Sequence, residues 1–252
     1  MFTLTRHRTP GLALVLFFVS GLSAQDTLFF GAMGDTVRAL VECDRYIVRS
    51  PDPQQQDRTL AIEHTRSGRL LSEERTILNE ENKRVPDGTS RWFREDGSIK
   101  VIMQHVRGQR LSIQSFWPGG EPKRDDLFQN DSLVSGRCFA EDGSEVEYFP
   151  YLIEPGFQGG LNKLYEFLRG HLRYPDQAFE DGIQGTVMTR FVVMKDGAIE
   201  QAEVIRKVSP DLDAEALRVV RKMPAWSPGL MDGEPVKCRF NLPVAFKLRS
   251  IP

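Results

Sequence analysis

The chain has 252 residues, 40% hydrophobic and 27% charged, a profile that fits one large or two smaller globular domains and excludes a disordered or multi-pass membrane protein. Thirty-three basic against 35 acidic residues leave a net charge of -2, so bulk charge announces no surface for nucleic acid. Cys43, Cys138 and Cys238 form no CxxC or Cys/His cluster, and His7, His64, His105 and His171 lack ligand spacing, so neither a metal nor a cofactor is implied.

Met1–Pro10 carries Arg6, His7 and Arg8 and no acid. Gly11–Ala24, GLALVLFFVSGLSA, is then a short apolar run ending in small residues. A basic start, a short apolar core and a small-x-small end make residues 1–24 a secretory signal peptide, because a spanning helix needs about 20 apolar residues. Retained, the same run is a short membrane anchor. Export places the cysteines in an oxidising compartment, where Cys43 with Cys138 is the one pairing within the N-terminal half; three buried thiols are the alternative. Residues 25–59 show no clear pattern beyond a turn at Ser50-Pro51-Asp52-Pro53-Gln54.

Residues 60–152 repeat themselves. His64-Thr65-Arg66-Ser67-Gly68-Arg69-Leu70, Phe93-Arg94-Glu95-Asp96-Gly97-Ser98-Ile99, Phe116-Trp117-Pro118-Gly119-Gly120-Glu121-Pro122 and Phe139-Ala140-Glu141-Asp142-Gly143-Ser144-Glu145 align on glycines spaced 29, 23 and 23 residues apart. Each unit is an apolar or aromatic strand, a turn and a second strand, with Asp-Gly predicting type I′ hairpins. One such hairpin cannot bury a core, so the units are expected to stack into a continuous sheet. Trp92, Phe93, Phe116, Trp117 and Phe139 recur at matching positions and are expected in its core. The pattern resembles the MORN-like repeats of bacterial envelope proteins.

From Phe157 the pattern changes. Leu161, Leu164, Tyr165 and Leu168 mark an amphipathic helix ended near Gly170, and Pro175–Glu180 a second short helix. Gly185–Met194 reads as a strand with Val187, Thr189, Phe191 and Val193 on one face. Lys195-Asp196-Gly197-Ala198 turns it into a return strand, Ile199–Lys207. Ser209 and Pro210 start a third helix, with Leu212, Ala216, Val219, Val220 and Met223 buried, and Pro224 stops it. The last strand, Val236–Leu248, alternates: Val236, Cys238, Phe240, Leu242, Val244 and Phe246 inward; Lys237, Arg239, Asn241 and Lys247 outward. Helices on one face of three strands make a two-layer α+β domain over residues 157–248, preceded by an all-β hairpin-repeat domain. Its third helix carries the chain past the first strand, so the antiparallel sheet order is 2-1-3 with the third strand at an edge, where Pro243 is tolerated.

The run Tyr174-Pro175-x-x-Ala178-x-x-x-Gly182-Ile183-x-Gly185-x-Val187 resembles the C-terminal domain of the TonB family. So do Asp196-Gly197-x-Ile199, Val208-Ser209-Pro210-x-Leu212-Asp213-x-Glu215-Ala216-Leu217, Met223-Pro224-x-Trp226-x-Pro228-Gly229 and Phe240-x-Leu242-Pro243-Val244-x-Phe246. The resemblance implies that the last strand captures an extended peptide of an outer-membrane TonB-dependent receptor. It implies partner contacts from Val236, Lys237, Arg239, Asn241 and Pro243, and from the stretch before the second helix: His171, Arg173, Tyr174 and Pro175. Edge-protecting charge is the alternative role for Lys237 and Arg239.

Members that transduce energy keep an N-terminal helix docked on a proton-driven inner-membrane motor and a long Pro-rich spacer. Here a cleavable leader and a repeat domain stand in their place. The expected function is therefore a periplasmic adaptor in TonB-dependent transport, with a membrane-anchored transducer facing the periplasm as the alternative. Two copies can also pair through the same edge as a homodimer. No Gly-x-Ser-x-Gly, P-loop, His-Glu-x-x-His or dinucleotide motif occurs, and His171 with Asp176 and Glu180 reads as surface charge rather than an acid/base cluster, so catalysis is not expected.

Overall fold

Glycine sets the hairpins of the N-terminal unit. In the computed structural model, which describes residues 27–30, 36–37 and 43–248, the repeat glycines share one left-handed conformation, with φ of 88° at Gly68, 84° at Gly97, 96° at Gly120 and 83° at Gly143. Each donates to the residue three before it, as in Gly97 N–H to Arg94 O at 3.1 Å, and a second bond such as Arg94 N–H to Ser98 O at 2.8 Å closes the hairpin. These are three-residue loops, a type I turn followed by a left-handed glycine, and not the expected type I′ turns. Asp96 and Asp142 keep negative φ because their work is to cap: each carboxylate accepts the N–H of Ser98 or Ser144, at 2.8 and 2.9 Å. Pro118-Gly119-Gly120 makes the same turn without that cap. The type I′ turns lie elsewhere, at Arg107-Gly108 (φ 49° and 88°) and Asn130-Asp131 (φ 50° and 59°).

In chain order the strands are β1 Thr27–Phe30, β2 Thr36–Val37, β3 Arg45–Pro51, β4 Thr59–Thr65, β5 Leu70–Leu78, β6 Arg84–Pro86 and β7 Gly88–Phe93. They continue with β8 Ile99–Val106, β9 Gln109–Phe116, β10 Pro122–Gln129, β11 Ser132–Phe139 and β12 Glu145–Val146. All pair antiparallel in one sheet, in the order β12-β11-β10-β9-β8-β7-β5-β4-β3-β1-β2 with β6 on β5. The unpatterned stretch before residue 60 thus contributes strands to the same sheet. The leader expected over residues 1–24 lies outside the described residues.

The buried face of this sheet is more polar than the sequence suggests. Glu63, Ser72, Trp92, Val101, Ser115, Arg124 and Cys138 stand in register across seven strands. Ser72, Val101, Ser115, Arg124 and Cys138 are buried, and Arg124 pairs with Asp126 at 2.8 Å with both side chains wholly buried. The five aromatics are half-buried rather than core. They brace the turns: Trp117 Nε1 donates to the Phe139 carbonyl at 3.0 Å, and Lys123 Nζ lies 4.7 Å from the Trp117 ring centre. Six strands separate Cys43, just before β3, from Cys138 on β11 in the sheet order.

The chain divides between Glu147 and Tyr148. The second unit runs β13 Leu152–Ile153, α1 Gly160–His171, α2 Asp176–Glu180, β14 Gly185–Val193, β15 Ile199–Arg206, α3 Pro210–Arg221, β16 Gly229–Met231, β17 Glu234–Val236 and β18 Cys238–Phe246. β14, β15 and β18 form an antiparallel sheet in the order β15-β14-β18. Val187, Thr189, Phe191, Val193, Leu242, Val244 and Phe246 turn inward, and Leu164, Leu168, Ala178, Leu212, Ala216, Val219 and Val220 of the helices close over them. Each large side chain so buried contributes about 1.5–3 kcal/mol. Ser209 caps α3, its hydroxyl accepting the Leu212 N–H at 3.3 Å with Pro210 at the first turn. Pro175 sits one position earlier than expected, as the residue before α2.

Two expectations need correction. Leu161 and Tyr165 are 63% and 55% exposed; with Phe157 filling the core at the helix entry, α1 is rotated so that Leu164, Phe167 and Leu168 meet the sheet. The last strand is also not continuous from Val236. Val236 belongs to β17, in a separate small sheet β13-β16-β17, Lys237 breaks the pairing, and β18 begins at Cys238. Strands of two or three residues are too short to carry a period, so the sequence pattern does not reveal this sheet.

Candidate functional site

The central strand β14 is paired on both sides, and its two flanking strands end differently. On β15 the register slips twice, between Met188 and Thr189 and between Arg190 and Val192, with Gln201 at φ 55°. Bulges of this kind blunt an edge against further pairing. On β18 the ladder runs through nine consecutive pairs, from Gly185 with Phe246 to Val193 with Cys238, without a slip. The regular, open edge is therefore β18.

Its polarity can be worked out. The Thr189 hydroxyl donates to the Leu242 carbonyl at 2.9 Å, so that carbonyl points toward β14, and Pro243 has no N–H to give. Antiparallel alternation then turns the backbone of Arg239, Asn241, Pro243 and Ala245 toward the open side. Asn241, Pro243 and Ala245 present two N–H donors and three carbonyl acceptors on that side, interrupted once by the proline. The side chains of Arg239 and Asn241 stand on the solvent face of the sheet. There Arg190 Nε donates to Asn241 Oδ1 at 3.2 Å, and Arg190 lies 3.7 Å from Glu203.

The second group of expected residues meets the far end of the same strand. Tyr174 packs edge-on against Phe246, with ring centres 5.7 Å apart, and against Phe179 at 5.9 Å. Its hydroxyl donates to the Ile183 carbonyl at 2.5 Å, so Tyr174 is anchored and half-buried. His171 is exposed; its ring stacks on Phe167 at 4.1 Å and Nδ1 donates to the Phe167 carbonyl at 2.8 Å. Arg173 is held by its backbone, whose N–H donates to Glu215 Oε1 at 2.6 Å, leaving the side chain exposed. Thus Tyr174 and Pro175 come to the Phe246 end of β18 and Arg239, Asn241 and Pro243 line its length. Val236 and Lys237 fall beyond its start.

Two residues without an expected role organise this linker. Glu215 accepts the Arg173 N–H and, at 2.5 and 2.6 Å, Arg218 Nε and Nη2; Arg218 Nη2 also donates to the His171 carbonyl at 2.6 Å. Burial pushes the Glu215 carboxyl up, but the Arg218 guanidinium and the Arg173 N–H outweigh it and hold the group below the usual carboxylate range. The Asp213-x-Glu215 motif was visible, but its partner lies 42 residues away. At the start of β18 the Cys238 thiol is pushed up by burial and then by the Glu154 charge, which keeps it protonated and poorly nucleophilic. Among the described residues no group of three His, Cys, Asp or Glu could hold a metal ion, and no helix is long and apolar enough to cross a membrane.

Residues 170–248 match the family model described as Gram-negative bacterial TonB protein C-terminal. Protein TonB of Vibrio cholerae is 36% identical over 79 residues, 31% of this chain and 32% of that protein, so the chain spans about a third of the length of the curated relative it matches. Two solution structures of the Helicobacter pylori TonB C-terminal domain are each 22% identical over 36% of this chain. They are covered to 81% and 95% of their length, with TM-scores of 0.29 and 0.28. The second unit thus contains a segment similar to the TonB C-terminal domain.

Proposed function

We propose that this protein is an exported adaptor of TonB-dependent transport, whose second unit captures an extended segment of an outer-membrane receptor by strand addition to β18. The observation that carries the reading is the contrast between the two sheet edges: β18 is regular and open over nine residues, and β15 is bulged. An open edge supplies affinity through main-chain hydrogen bonds and leaves specificity to the side chains beside it. Arg239, Asn241 and Pro243 flank the added strand, and the His171–Pro175 linker contacts its end near Phe246. Lys237 serves as a charged gate at the start of the edge, and Val236 as its apolar neighbour. The first unit we read as a MORN-like scaffold, supported by four glycine turns with the same φ region and hydrogen bonds at the repeat positions. The proposed site is a docking edge with no reacting group.

Titration with synthetic peptides copied from the N-terminal periplasmic segments of outer-membrane receptors tests the edge. Saturable binding weakened by Ala245→Pro, with the fold kept in urea unfolding, supports it, and undiminished binding by that variant overturns it. Intact mass and N-terminal sequencing of the protein from fractionated cells separate the two roles. A chain starting at Gln25 in the soluble periplasm supports the adaptor. A full-length chain in the inner membrane overturns it in favour of an anchored transducer coupled to a proton motor. The homodimer through β18 is checked by sedimentation at high concentration, where a strict monomer rules it out.

A further inference from the structure

A cavity of about 530 Å³ opens in the first unit where the β3–β4 hairpin meets β6. Arg49 and Ser50 of β3, Arg58 and Thr59 at the start of β4, and Arg84 of β6 line it, with Asp57 as its one carboxylate. Three guanidinium groups sharing one small volume repel each other unless an anion joins them. One is already partnered: Arg58 Nε lies 2.5 Å from the buried Asp87 carboxylate, and Gly88 leaves space for it, since a Cβ there would come within 2.9 Å of Arg58 Nη1. The neighbouring Arg75 is tied to Asp52 at 2.9 Å and takes no part. Arg84 Nη1 reaches the Thr76 hydroxyl at 3.2 Å and is otherwise exposed. Arg49 Nε and Arg58 Nε are both buried without a hydrogen-bond partner, a costly state for a charged donor. Arg58 has the Asp87 carboxylate beside it.

The carboxylate beside Arg49 is Glu74. Burial, and then the Glu63 charge, push its carboxyl up against the opposing pull of Arg49. The site thus has a planar fork with an open donor, a second fork at the rim, a third guanidinium held by Asp87, and the Thr59 hydroxyl.

We propose that this cavity binds a doubly charged oxyanion, a phosphate or sulfate group, through Arg49 and Arg84 with Thr59 as a hydroxyl donor. Guanidinium forks match tetrahedral oxyanions in bidentate geometry, and the volume admits a phosphate with a small organic group attached. The group can come from a free phosphate or from a lipid headgroup.

The test uses the full chain in low-salt buffer, with calorimetric titration of inorganic phosphate and sedimentation with phosphatidic acid or phosphatidylcholine vesicles. The proposal expects saturable phosphate binding or retention on phosphatidic acid alone, weakened about tenfold by Arg84→Gln through loss of one charge-assisted contact. Binding of phosphate in solution assigns the free anion; binding only to phosphatidic acid assigns the headgroup. Arg49→Gln should abolish binding, and because Arg84 is exposed its variant stays folded even where Arg49→Gln does not. No binding to either probe, or equal binding by wild type and Arg84→Gln, overturns the proposal.

Discussion

Replacing Ala245 by proline probes the docking edge through a single atom. Ala245 is exposed, lies opposite Thr186 and turns its N–H to the open side, so proline there deletes one outward donor and leaves the β14 ladder complete. A backbone hydrogen bond is worth about 0.5–1.5 kcal/mol net, which predicts a rise in Kd of about 2- to 13-fold for a captured receptor peptide. Adding Asn241→Pro removes a second donor and should multiply the loss to about 5- to 150-fold. Folding stability should change by no more than about 0.5 kcal/mol for Ala245→Pro, as for other exposed edge substitutions. Val244→Pro is the contrast, because that N–H faces β14 and its loss should cost about 3 kcal/mol of stability. The assay is fluorescence anisotropy with labelled peptide, alongside urea unfolding. If Ala245→Pro binds as well as wild type, the peptide does not pair with β18. If it destabilises the fold as much as Val244→Pro, the backbone alternation is assigned to the wrong residues.

Other consequences are equally specific. Gly197→Ala and Gly143→Ala both place a side chain on a left-handed turn residue, but only at Gly197 would the Cβ lie 2.0 Å from a backbone oxygen, that of Trp226. Urea unfolding should show about 1–2 kcal/mol lost at Gly143 and about 3 kcal/mol or more at Gly197, where the bond from Trp226 N–H is also displaced. Tyr174→Phe removes the hydroxyl bond to Ile183 and should cost about 1 kcal/mol in thermal unfolding without altering the ring contact with Phe246. Glu215 has a folded value below its ordinary 4.5, so its contribution is complete above that value and is lost as pH falls through the depressed one. Glu215→Gln should therefore flatten the acid limb of the stability profile; an unchanged limb would show that the clamp on the linker is not formed in solution.

Much of the second unit was legible because its signals are local. The Ser209-Pro210 helix start, the Asp196-Gly197 turn and the alternation from Cys238 to Phe246 each depend on residues within a few positions of one another. The strand order followed as well, since a hairpin fixes two strands and a crossing helix leaves the third one free side. The rotation of α1 was not legible: Leu161, Leu164, Tyr165 and Leu168 make an apolar stripe, yet Phe157, outside the helix, decides which part of it is buried. In the first unit the glycine spacing located the hairpins, but the turn type depended on one backbone angle per loop, which Asp-Gly leaves open between two loop lengths.

The sequence by itself determined where the helices and longer strands of the second unit and the repeat turns of the first lie, and that one edge strand carries a proline and charges, because periodicity and turn chemistry are written in neighbouring residues. Only the tertiary structure decided which edge is usable, since the slips that blunt β15 arise from its register against β14. It alone joined Glu215 to Arg173 and Arg218, and gathered Arg49, Arg58 and Arg84 around one cavity. Those groupings depend on contacts between residues tens of positions apart, and no spacing along the chain encodes them.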